Sequence, residues 1–201
     1  METVERMRLV GGTIALDFVN TRSGPPTGPP DDDVLTSYSE LVAWAAYAGI
    51  LSEAEAEAAR TAHHDQAVEQ AALDRAVRTR DYLDDLFRSL ATGSTPSTEA
   101  LTRLRDDEAE AIARARLDRD FTWTWRDDSS LDRPLWPVVH AAVDLLTAGP
   151  RDRVKGCGGC RFLFVDESKN RSRRWCSMED CGTAEKMRRY VAVRRTRATR
   201  G

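Results

Sequence analysis

Cysteine is missing from the first three quarters of this 201-residue chain, and all four cysteines, Cys157, Cys160, Cys176 and Cys181, fall near its end. Long apolar runs are missing too: none approaches the roughly 20 residues that cross a bilayer, so no membrane partner is expected. The N-terminus, Met1–Val10, mixes charges and lacks the apolar centre of a secretory leader. A cytoplasmic, reduced chain is therefore expected, which disfavours reading the cysteines as two disulfides. Histidine is scarce, with three copies. His63 and His64 are adjacent and would point to different sides of a helix, and His140, one turn after Trp136, reads as a satisfied, partly buried imidazole. No Ser-His-Asp or Cys-His arrangement is suggested, and Gly11-Gly12 is a turn rather than a phosphate loop. An enzyme is not expected, although the N-terminal part leaves a ligand-binding or catalytic role open.

What is present is a metal-ligand spacing. Cys157 and Cys160 form a C-x2-C pair, and Cys176 and Cys181 form C-x4-C after fifteen intervening residues. Zinc in structural sites takes four thiolate or imidazole ligands in a tetrahedron, and four cysteines leave no open position for catalysis. Gly158 and Gly159 let the chain turn between the first pair. Ser177-Met178-Glu179-Asp180 suits a loop entering a helix, with Cys181 near its first turn, where unpaired N–H groups favour a thiolate. Arg161–Val165 reads as a strand, Asp166–Asn170 as a turn, and Arg173-Arg174-Trp175 as the return. Knuckle, hairpin and final helix predict a treble-clef-like finger holding structural Zn²⁺. Met187 and Val191 are expected to pack on Phe162, Phe164 and Trp175, and loss of the metal should unfold so small a module.

Charge separates the two ends. Residues 151–201 hold 15 Lys and Arg against 6 Asp and Glu, a net +9, whereas residues 1–150 hold 15 against 27, a net −12. A basic tail attracts phosphate through counterion release, and an acidic body repels it, so nucleic-acid contact is expected in the tail alone. The cations in question are Arg171, Arg173, Arg174, Lys186, Arg188, Arg189, Arg194, Arg195 and Arg197. Arg173 or Arg174 is the first candidate to stack over Trp175 or brace the hairpin instead.

The body reads as mainly α within an α+β class: a helical domain with a small β ribbon. A short helix covers the apolar segment after Gly12, through Ala15, Phe18 and Val19. Asp17 and Asn20 sit inside that segment, either bonded to local backbone or forming the floor of a small-molecule site. Ser23–Asp33, with four prolines, is a loop. Capping boxes at Ser37–Glu40 and Ser52–Glu55 start helices. The second opens a stretch to Leu90 that is two helices or one bent one. Thr98–Leu117 is a further helix. Phe121–Trp125 alternates as a strand, with Met7–Val10 as its expected partner. Asp132 and Pro134 open a helix that ends at Gly149-Pro150.

The segment Cys157…Cys160-Arg-Phe-Leu-Phe-Val-Asp-Glu-Ser-Lys-Asn-Arg-Ser-Arg-Arg-Trp-Cys-Ser-Met…Cys181-Gly182 resembles the CGNR zinc fingers of bacteria. Gly12…Leu16-Asp17-Phe18-Val19-Asn20-Thr21 resembles the opening of the ABATE domain that precedes such fingers. The resemblance implies an ABATE-like domain at 1–150 and a CGNR-type finger at 151–201, with Cys157, Cys160, Cys176 and Cys181 as zinc ligands. It also implies a stress-induced transcription regulator that binds DNA through the finger, with a small-molecule effector or homodimerisation as roles for the body. One departure matters: Cys181-Gly182 is followed by Thr183-Ala184 where the family has Asn-Arg. Loss of one bidentate base contact removes about 1–3 kcal/mol of discrimination. That departure keeps two alternatives in view: a protein-interaction adaptor, and a ligand-binding or catalytic body with a purely structural finger.

Overall fold

Side-chain caps start most of the helices. The computed structural model describes residue 4 and residues 7–62, 64–125 and 129–198, without the side chains of residues 189 and 193–198; His63 lies outside the described residues. Seven helices appear among them: α1 Ile14–Val19, α2 Tyr38–Tyr47, α3 Glu53–Thr61, α4 Gln66–Thr92, α5 Thr98–Ala113, α6 Trp136–Thr147 and α7 Thr183–Ala198. Ser52 Oγ accepts the Glu55 N–H while the Glu55 carboxylate accepts the Ser52 N–H at 2.7 Å, a complete capping box. At Ser37 the serine half is present, its Oγ accepting the Glu40 N–H at 3.2 Å. Such caps satisfy orphan donors, each worth about 1 kcal/mol. The stretch after Ser52 is two helices: α3 and α4 part around residues 62–65, and Asp65 restarts the chain by accepting the Ala67 N–H.

The core lies where α4 meets α1, α2 and α5, with α6 packed on α1 and α5. Leu16, Leu41, Leu83, Leu86, Phe87 and Val138 are buried there, and the Phe18 and Trp44 rings lie 5.0 Å apart. Buried with them is Arg80, which no apolar pattern announces. Its guanidinium donates to Asp33 at 2.7 and 2.5 Å and to Thr21 Oγ1 at 2.8 Å. Asp33 belongs to β2 (Asp32–Asp33), which pairs antiparallel with β1 (Arg22–Ser23) across the proline-rich loop. The ion pair thus pins both ends of that loop to α4.

Two expectations about strands change. The ribbon containing Trp123 does not use Met7–Val10. Instead β3 (Arg116–Leu117) pairs with β4 (Trp123–Thr124), and α5 ends at Ala113 so that the chain can turn back. Closing a local hairpin costs less loop entropy than recruiting a segment a hundred residues away. Phe121 falls in the turn with φ 63° and is exposed, while Trp125 is buried and donates from Nε1 to the Ala111 carbonyl at 2.7 Å. His140 is half-buried between the two tryptophan rings, with Nδ1 2.7 Å from Glu108, as its position after Trp136 suggested.

A third ribbon joins the finger to the body. β5 (Val154–Gly156) pairs antiparallel with β6 (Leu163–Val165), and Val154, Leu163 and Val165 belong to the main core. Among the described residues no helix is long and apolar enough to cross a membrane.

Candidate metal centre

The β5–β6 hairpin carries the first two cysteines at its tip. The Cys157 N–H donates to the Phe162 carbonyl at 2.8 Å, which extends the ladder by one step into the Gly158-Gly159 turn. Neither glycine has positive φ. What each needs is room: a Cβ on Gly158 would sit 2.8 Å from the Trp175 ring, and one on Gly159 3.0 Å from Cys181 Cβ. Glycine at both positions therefore lets the second cysteine pair close over the first. Ser177 Oγ accepts the Asp180 N–H, a tight turn follows over Met178–Gly182, and α7 begins at Thr183. This turn swings Cys181 back toward the knuckle.

The four sulfurs lie within 4.8 Å of one another. Cys160 and Cys176 are 3.6 Å apart, and Cys176 and Cys181 3.7 Å. A tetrahedral ion with metal–sulfur bonds of about 2.3 Å separates its sulfurs by about 3.8 Å, so the quartet has the size of a coordination shell. Backbone donors add to it: the N–H groups of Cys176 and Gly159 point at Cys157 Sγ at 3.3 and 3.4 Å. Hydrogen bonds from the Cys160 and Cys176 thiols, with these N–H groups, hold Cys157 well below the ordinary thiol range. The contact with Cys157 pushes Cys160 up to about 12. Sulfurs packed this closely ionise together only around a cation. The cluster is a metal-binding site.

The surrounding shell comes from three parts of the chain. Asp166, fully buried after β6, accepts from the Ser168 N–H, Ser168 Oγ, Lys155 Nζ and the Arg173 N–H. Burial alone would raise its pKa; the Lys155 ammonium and the Ser168 donors outweigh that and hold the carboxyl well below its usual range. Arg173 places its guanidinium 4.4 Å from the Phe164 ring and donates to the carbonyls of Trp175, Val165, Val10 and Cys176. Arg8 reaches across to Asp180 and Glu179, both at 2.8 Å, and to Ser177 Oγ. Arg8 and Val10 carry no motif of their own; Asp166 opens the turn after the predicted strand, with Ser168 two residues on, which is the one signal of its role.

This arrangement bears on three sequence expectations. Of its two expected roles Arg173 takes the brace, with its donors committed to carbonyls. Met187 and Val191 do not fill the finger core; both are exposed, as is Tyr190 between them. Phe164 is covered by Arg173, and Val10 joins Phe162 and Trp175 in the small cluster around the sulfurs, so no apolar face remains for α7 to cover. Asp17 and Asn20, candidates for a ligand site, are both bonded to backbone. Asp17 Oδ1 accepts the Gly11 N–H at 2.7 Å, and Asn20 accepts the Leu163 N–H at 2.8 Å and donates to its carbonyl at 2.9 Å. Asn20 thus acts as an added strand residue, tying α1 to β6.

Asp17 makes a pH prediction. Burial raises its pKa from 3.8 to about 6, against the pull of the Gly11 and Val10 N–H groups. A raised carboxyl stabilises the fold fully below the unfolded pKa and loses that contribution as pH rises through the folded value. Between about pH 4 and 6 this one group should remove on the order of 3 kcal/mol. Asp17→Asn keeps an acceptor for Gly11 and should flatten that slope. Urea unfolding of both proteins across this range checks it, and parallel curves would refute the assignment.

The other candidate cations are spread out. Arg171 pairs with Asp152 at 2.7 Å, and Arg174 stacks over Trp175 at 5.1 Å. Lys186 and Arg188 are exposed on α7, Arg188 lying 3.5 Å from Glu185. Arg189, Arg194, Arg195 and Arg197 lie on α7 as well, with side chains outside the described set. Directly after Cys181-Gly182, Thr183 Oγ1 donates to the Met178 carbonyl at 3.0 Å and Ala184 is exposed.

Fold and site together define a helical-body protein with a four-cysteine metal finger rooted in its core. The ABATE family model, described as "Putative stress-induced transcription regulator", matches residues 12–149, and the CGNR zinc finger model matches residues 153–195. The chain belongs to the ABATE family and ends in a CGNR-type finger. No curated protein matches it.

Proposed function

We propose that this protein is a transcription regulator whose cysteine quartet holds structural zinc, whose basic C-terminal module binds DNA, and whose helical body senses a ligand. The observation that carries the reading is the sulfur cluster followed at once by a helix with exposed cations. Four thiolates suit zinc and leave no position for a substrate. The family description supports the regulatory role. Lys186 and Arg188, with Arg174 beside the knuckle, offer charge to phosphates, while Arg173 braces the loop that carries Cys176. Without the Asn-Arg pair, backbone contact outweighs base reading.

Mobility shift of duplex DNA at several salt concentrations tests this. Affinity should fall steeply with salt, and the double substitution Lys186→Glu, Arg188→Glu should lower the log–log slope by about 2, near 0.9 per lost phosphate contact. If the zinc-loaded protein shifts no duplex at low salt, the reading is wrong. The exposed Met187, Tyr190 and Val191 favour a second reading, an adaptor whose α7 docks on another protein. A partner retained after nuclease treatment would speak for it.

A further inference from the structure

A cavity of about 190 Å³ opens between α4, α5 and α6, with room for about six water molecules. Its apolar part is made by Leu135, Trp136 and Val139. Its polar part carries both signs of charge, and the charges are not all spent on each other. On one side Arg75 is held by Asp132 through Nε at 2.8 and 2.9 Å. Arg78 lines the same cavity, is exposed, and has no ion-pair or hydrogen-bond partner among the described residues. Arg103 lines it too; its pair with Glu99 is an exposed i,i+4 contact, worth little and easily exchanged. One turn along α5 from Arg103, Asp107 accepts the Tyr82 phenol at 2.6 Å through Oδ2, which leaves Oδ1 available. Glu110, exposed on α5, has no partner among the described residues.

A bare anion in this cavity would meet Asp107 and Glu110, and a bare cation would meet Arg78 and Arg103. A ligand carrying an ammonium and a carboxylate on one carbon can satisfy both signs. The apolar floor asks for a short hydrocarbon beside those charges, and the volume suits a molecule the size of an amino acid. We propose that this cavity binds a free α-amino acid with an apolar side chain, its carboxylate on Arg78 and Arg103 and its ammonium on Glu110 and Asp107. The role as effector rests on the reading of the helical body as a sensor; the binding itself does not.

Calorimetric titration of the full zinc-loaded chain with L-leucine and L-methionine, without DNA, tests the site. Saturable binding of at least one is expected. The analogues lacking one charge, 4-methylpentanoate and 3-methylbutylamine, should bind at least about tenfold more weakly than leucine, since each loses a set of charge-assisted bonds. Arg78→Ala and Glu110→Ala, both at exposed positions, should each weaken binding by about tenfold, with the unliganded melting temperature unchanged as the control for folding. No saturable heat at millimolar amino acid, a one-charge analogue as tight as its parent, or wild-type affinity in both variants would overturn the proposal. Binding that leaves duplex affinity unchanged keeps the site and removes the sensing role, whereas a failed duplex shift leaves the calorimetry standing.

Discussion

Chelating the metal should free the two cysteine loops, 157–160 and 176–182, to exchange amide hydrogen rapidly, while Leu163 stays protected. Without metal, the buried cluster around the sulfurs is Phe164 with the Cys157 and Cys176 side chains, backed by Val10, Phe162 and Trp175. That is too little apolar area to hold two loops in place. Structural zinc supplies roughly 10–16 kcal/mol of binding free energy in isolated fingers, so its removal dominates every other contact in the module. The hairpin beneath is held differently. Val154, Leu163 and Val165 lie in the main core, Asn20 grips both polar groups of Leu163, and the Val165 N–H donates to the Gly11 carbonyl at 2.8 Å. The expectation from sequence, that the whole finger unfolds without metal, therefore narrows to its outer half. Cys176→Ser, at the most central sulfur, should reproduce the chelated pattern. Loss of protection at Leu163, or no change in the loops, would refute the division.

Asp33→Ala should destabilise the body by about 3 kcal/mol, whereas Arg80→Met should cost far less. Arg80 is fully buried and Asp33 supplies two of its three hydrogen bonds. Removing the carboxylate leaves a buried cation with one hydroxyl, and such losses run to about 3–5 kcal/mol. The low end applies because the Asp33 side chain is 36 % exposed and water can follow it in. Methionine removes the charge and keeps most of the volume. It also removes Arg80 Nε, which is buried without a partner among the described residues, and leaves Asp33 facing solvent. For a chain of this size the Asp33 variant should melt about 6–12 °C lower. Equal losses in the two variants, measured by urea unfolding, would show that packing rather than the uncompensated charge sets the cost.

The two variants mark where sequence reasoning stops. The Arg80–Asp33 pair spans 47 residues and sits in no apolar or charge pattern, so nothing along the chain points from one to the other. Arg173 is subtler: the sequence offers it either to a phosphate surface or as a brace, and Phe164 with four carbonyls decides for the brace. Met187 and Val191 repeat at helical spacing, which is the pattern of a buried face, but periodicity states that a helix has an apolar side without stating what covers it. Trp123 lies on the strand that its alternation predicts and pairs with Leu117, a partner that alternation does not name, for the same reason.

What the chain determines unaided is short-range. Four cysteines at C-x2-C and C-x4-C spacing must bring four sulfurs to one point if they bind at all, and Ser52 three residues before Glu55 can close its box within a single turn. Bond lengths and helical pitch set both, and neither needs the rest of the molecule. Tertiary structure decides which charges lose their water. Burial of Arg80, Asp166 and Asp17, and the exposure of Met187 and Val191, depend on which distant segments pack over them, and the free energy of desolvating a charge is settled only by the partners that packing supplies.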